Sequence, residues 1–124
     1  MSDEIKHECG LAYIRLRKPL SYYLQKRGSV TYGFNKLYLL MEKQHNRGQD
    51  GAGLASIKLD TKPGERYISR VRSIAQQPIQ DIFAQINDRV NREFEEHPEY
   101  KDDVAAQKRN IPYIGEVLLG HVRY

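Results

Sequence analysis

Three short stretches hold the residues best suited to chemistry. The first is CGLA, beginning at the single cysteine of the chain, Cys9. A thiol becomes a nucleophile when a base lies close enough to take its proton. An N-terminal residue carries such a base itself: a free α-amino group has a pKa of about 7.7–8.0 and is partly neutral near pH 7. Residues 1–8 precede Cys9, and while Glu8 is attached that nitrogen is an amide and cannot act. Gly10 lets a second backbone or a substrate approach closely. The alternative reading is a small buried hydrophobe, the usual role of a lone cysteine.

The second stretch is QHNRGQDGAGLA, with Arg47, Gly48, Asp50, Gly51 and Gly53. It reads as a glycine-rich turn with a structural arginine–aspartate pair. It is not a phosphate loop, because neither GxxxxGK[ST] nor GxGxxG occurs. The third is GHVRY, where Arg123 could grip a carboxylate with two parallel hydrogen bonds or stand as an exposed strand arginine. His7, His45 and His121 have no cysteine or carboxylate partner at metal-ligand spacing, so no metal site is expected.

These stretches need elements to position them. Residues 9–16 are apolar apart from Arg15 and read as a largely buried strand. Residues 17–33 read as a connection punctuated by Pro19, Gly28 and Gly33, with a short helix in LSYYLQK. Phe34, Leu37, Leu40, Met41 and Gln44 recur at helical spacing over 34–46. Leu39 widens that face, and Gly48 is placed as the stop. GAGLASIKL and RYISRVRS, joined by TKPGE, read as a hairpin. Tyr67, Ser69 and Val71 share one side of its second strand, and Ile68, Arg70 and Arg72 the other. Ile79, Ile82, Phe83, Ile86, Val90 and Phe94 form one stripe of a helix over 78–97, with Pro78 in its first turn. Residues 97–112 read as a polar excursion, and YIGEVLLGHVRY as a last strand at the centre of a sheet. The order predicts an α+β fold, not a strict βαβ repeat.

Composition narrows the function classes. The 124 residues suffice for one modest core. Lys and Arg number 20 against 16 Asp and Glu, a net charge of +4. That mild basicity suits a phosphorylated or carboxylate substrate and by itself does not indicate nucleic acid. No RNP1-like aromatic signature is present, so no nucleic-acid partner is expected. The longest apolar run, LYLLM, is too short to span a bilayer, so no membrane partner is expected either. One cysteine and a polar N-terminus predict a reducing, cytoplasmic setting.

Taken together and in order, CGLA, RGQDGAG and GHVRY resemble the class II glutamine amidotransferases, which are N-terminal-nucleophile hydrolases. Within that group the likeness is greatest to the amidophosphoribosyltransferases of purine synthesis, for RGQD stands where sugar-phosphate amidotransferases more usually have RGYDSAG and asparagine synthetases RGPD. The resemblance spans residues 9–124 and implies the N-terminal part of a four-layer αββα sandwich, incomplete here, behind a leader of residues 1–8. It implies that Cys9 attacks the side-chain amide of glutamine, releasing ammonia and leaving a glutamyl thioester for water. Arg123 matches the arginine that binds the glutamine α-carboxylate, and Tyr124 the start of a loop that closes over it. Gly10, Arg47, Gly48, Asp50 and His121 match residues that support the pocket.

The implied partners are glutamine and phosphoribosyl pyrophosphate. The latter would bind with Mg2+ on a transferase domain outside these residues, and no cofactor is expected on this chain. A homo-oligomer is compatible with the full-length protein. The alternatives are an amidotransferase of the glucosamine-6-phosphate synthase or glutamate synthase type, or a non-catalytic interaction protein retaining part of the fold. Two departures stand out. Asn46 separates His45 from Arg47 where the family more often has QHRGQD. The family's oxyanion hole, an Asn-Gly pair, lies beyond GHVRY. An oxyanion donor is worth ~2.7–4 kcal/mol, so the expectation is a truncated glutaminase domain with almost no activity alone.

Overall fold

A computed structural model describes residues 9–43 and 50–123. The elements in order are β1 (Cys9–Arg15), α1 (Leu20–Arg27), α2 (Tyr32–Lys43), β2 (Gly51–Ile57), β3 (Ile68–Ser73), α3 (Pro78–Glu96), α4 (Val104–Asn110) and β4 (Val117–Arg123). A 3₁₀ turn, Pro98–Asp102, joins α3 to α4. The fold is α+β, as the element order predicts. The strands form one fully antiparallel sheet in the order β1-β4-β2-β3. The expected hairpin is present as β2 and β3, and β4 is central.

Helices cover one face of this sheet. α2 packs on β1 and β4, and α3 on β2 and β3. The core between the layers holds Leu37, Met41, Ile79, Ile82, Ile86, Leu118 and Val122. α3 has no side-chain bond at its N-cap, Gln77. A missing cap costs about 1 kcal/mol, whereas each buried Ile or Phe contributes roughly 1.5–3 kcal/mol. Burial of Ile79, Ile82, Phe83 and Ile86 therefore decides that helix.

Four sequence expectations need correction. β1 is buried on one face only: Ala12 is covered, while Leu11 and Tyr13 are exposed. In α2 the buried residues are Gly33, Phe34, Leu37 and Met41, while Leu39 and Leu40 face outward, because the helix has the sheet on one side only. Tyr38 instead meets Phe83 edge to face at 5.2 Å. Residues 97–112 are not a plain polar excursion, since they contain α4 and bury Ala106, Gln107 and Ile111. β4 begins at Val117 rather than Tyr113. Tyr113 has φ 75°, which breaks the extended run. A Cβ on Gly115 would come within 2.6 Å of the Ile57 carbonyl oxygen. The expected leader 1–8, the stop at Gly48, the Asn46 insertion and Arg47, His45 and Tyr124 lie outside the described residues.

Candidate functional site

The antiparallel register gathers the described residues of the three motifs at one end of the sheet. Cys9 of β1 stands directly across from Arg123 of β4. Gly51 of β2 stands across from the same Arg123 on its other side. The Asp50 N–H donates to the Arg123 carbonyl at 2.8 Å, carrying the pairing one residue past β2. Directly opposed residues on antiparallel strands have Cα atoms about 4.5–5.5 Å apart. Cys9, Arg123 and Gly51 thus lie in a single cross-strand row, with Asp50 next to it.

The next rows explain the glycines. Gly10 pairs with Val122, which is fully buried. His121 stands between Leu11 and Gly53, exposed on the face that the helices leave open. Gly120, the first residue of GHVRY, faces the helices: a Cβ there would meet Met41 Sδ at 2.6 Å. That glycine lets α2 seat on the central strand, so its place in the motif is a packing requirement. Gly51 is buried, and a Cβ there would sit 3.2 Å from the Ser73 carbonyl oxygen.

Chemically, the row sets a guanidinium-bearing residue beside a thiol-bearing one. No family model, curated protein or solved structure matches the chain. Among the described residues no helix is long and apolar enough to cross a membrane. No group of three or more His, Cys, Asp or Glu side chains able to hold a metal forms among them either.

Sequence reasoning missed a buried polar cluster at the opposite end of the sheet. Lys58 is 6% exposed, and its Nζ donates to the Ile111 and Ile114 carbonyls, each at 2.7 Å. Glu116 Oε1 accepts from the Leu59 N–H at 2.9 Å, and its Oε2 pairs with Lys108 Nζ at 2.8 Å. Lys108 also donates to the Leu59 carbonyl, and Ser56 Oγ to the Tyr113 carbonyl. Burial pushes the Lys58 amine down to about 8, with the Glu116 carboxylate opposing that shift. These bonds pin residues 111–116 to the end of β2, which sets the register in which β4 begins. A lysine among apolar residues in IKL gives no local sign of burial, because its partners come from a segment more than 50 residues away.

Proposed function

We propose that this chain carries the nucleophile side of a class II glutamine amidotransferase site, of the amidophosphoribosyltransferase type. The single observation that carries the reading is the row Cys9–Arg123–Gly51, in which the three family-like motifs become neighbours. In this reading the bond between Glu8 and Cys9 is cut, and the freed α-amine serves as base. The thiol proton passes to the amine, and the sulfur attacks the side-chain amide carbon of glutamine. The amine returns the proton to the departing nitrogen, which leaves as ammonia. Water then hydrolyses the glutamyl thioester and restores the thiol. Arg123 holds the α-carboxylate of glutamine, and Asp50, Gly51 and His121 shape the surroundings.

The fold reading follows from the same proposal. The helix-covered sheet is one half of an αββα sandwich, and the second sheet packs on the open face over Tyr13 and Leu119. Ammonia is transferred to phosphoribosyl pyrophosphate. No described residue is assigned to that acceptor or to Mg2+, and no step here runs through a metal.

A diazo-ketone analogue of glutamine tests the site. The expected result is one covalent adduct on Cys9, blocked by excess glutamine, absent in Cys9→Ala and slowed in Arg123→Ala. Labelling that glutamine does not reduce would overturn the proposal and favour a non-catalytic role.

A further inference from the structure

The segment holding α1 and α2 concentrates a charge that the rest of the chain lacks. Residues 17–43 carry six lysines and arginines against one acid, Glu42, a net charge of +5. The whole chain reaches only +4, so the remainder is net negative. Arg17, Lys18, Lys26, Arg27, Lys36 and Lys43 are all exposed. Among the described residues none of the six stands in a salt bridge. Glu42 lies beside the Tyr38 hydroxyl instead.

Tyrosines hold three of these cations without neutralising them. Lys18 Nζ stands 5.8 Å from the centre of the Tyr22 ring. The Arg27 guanidinium and Lys36 Nζ stand 5.3 and 5.6 Å from the centre of the Tyr32 ring. The rings form one row: Tyr22 meets Tyr23 edge to face at 5.2 Å, and Tyr23 stacks on Tyr32 at 5.4 Å. A ring attracts a cation through its quadrupole and has no net charge to cancel. The row therefore orders the cations and leaves their charge available.

The outer side of α2 adds an apolar element. Tyr32, Lys36, Leu39 and Lys43, spaced by four, three and four residues, share the side turned away from the sheet. Leu39, 54% exposed, thus sits between two lysines. The cations are spread over two helices rather than gathered at a point, which suits an extended anionic surface. Nucleic-acid bases need open ring faces to stack on, and the Tyr32 ring already meets Tyr23 and two cations. Anionic headgroups suit the lysines and arginines, while leucine and tyrosine suit the boundary between headgroups and acyl chains. The expectation of no membrane partner rests on the lack of a spanning run, and a peripheral contact needs none.

We propose that α1 and α2 dock this protein on an anionic lipid surface, with Lys18, Arg27, Lys36 and Lys43 on the headgroups and Leu39 dipping between them. The contact lies apart from the Cys9–Arg123 row and from the open face of the sheet, and it does not rest on the glutaminase reading.

Cosedimentation of the full chain with vesicles tests the proposal, using phosphatidylcholine alone and phosphatidylcholine mixed with phosphatidylserine. The chain is expected to pellet with the mixed vesicles and not with the neutral ones. Lys18→Gln, Lys36→Gln and Lys43→Gln together are expected to weaken partition by about a hundredfold, and Leu39→Ser alone by about tenfold. Arg66→Gln, Arg70→Gln and Arg72→Gln remove the same charge from β3 and the turn before it, and are expected to change partition by about twofold at most. All these positions are exposed, so the variants keep the fold, which circular dichroism verifies. No pelleting with the mixed vesicles, equal pelleting with neutral ones, or equal loss in the two triple variants would overturn the proposal. Displacement from the mixed vesicles by single-stranded RNA or a polyglutamate peptide carrying far less charge than the lipid would overturn the lipid assignment.

Discussion

Lys58 is a cation held where its charge is disfavoured, and the sign of that effect is testable. Burial lowers its pKa from the ordinary 10.5 to about 8. Below about 8 the amine is charged in folded and unfolded chains alike, and the cost of burying the charge is present in full. Between about 8 and 10.5 the folded amine is neutral while the unfolded one still binds a proton, so stability rises with pH through that window. Denaturation midpoints of the parent chain and of Lys58→Met, compared at about pH 7 and about pH 10, are expected to diverge, the parent gaining. A constant gap across that window would show that the buried charge is not what the fold works against. At this same scale the candidate site was half legible. Cys9 and Arg123 stand out by residue type, and Gly120 by its motif. The sequence contains no sign that Gly120 is required by Met41 Sδ, because that contact joins residues far apart in the chain.

Among the elements, α3 and α4 mark the limits of sequence reading. The stripe of α3 is regular over five turns, and its predicted range of 78–97 differs from Pro78–Glu96 by one residue. α4 has 7 residues and buries only Ala106 and Gln107, so it has no stripe to recognise. Its local sign was the cap: Asp103 Oδ1 accepts from the Ala106 N–H at 3.0 Å. Asp103→Ala is expected to destabilise the chain by about 1 kcal/mol, with Asp103→Asn losing much less, read as midpoint shifts in urea. An unchanged midpoint for the alanine variant would mean that Ile111, not the cap, holds this segment. β1 misled for a different reason. Apolar residues occupy both of its faces, and such a run reads as buried on both sides. The exposed Tyr13 belongs to the open face, which sequence periodicity cannot separate from a second core.

For the whole molecule, that open face has a solution consequence. An apolar strip beside an edge strand invites a second surface, and β1 is an edge of the sheet. Sedimentation is expected to show concentration-dependent association that Tyr13→Lys with Leu119→Lys abolishes. Association persisting in that double variant would place the contact elsewhere, with the strand edges next to be tested. The α+β class was legible because it follows from local periodicities. The meeting of Cys9, Gly51 and Arg123 was not, because it depends on β4 lying between β1 and β2, a long-range pairing with no local signature.

The central position of β4 also orders events in time. β1 and β2 emerge early during synthesis, yet neither pairs with the other; each bonds to β4. The strand that joins them is made more than 100 residues after Cys9. Loop-closure entropy must be overcome before that pairing rewards the chain, which makes it a slow, late step. Until then the row Cys9–Arg123–Gly51 does not exist. A nascent chain cannot present its cysteine and its arginine together, so whatever reactivity the row confers is withheld until the sheet is complete.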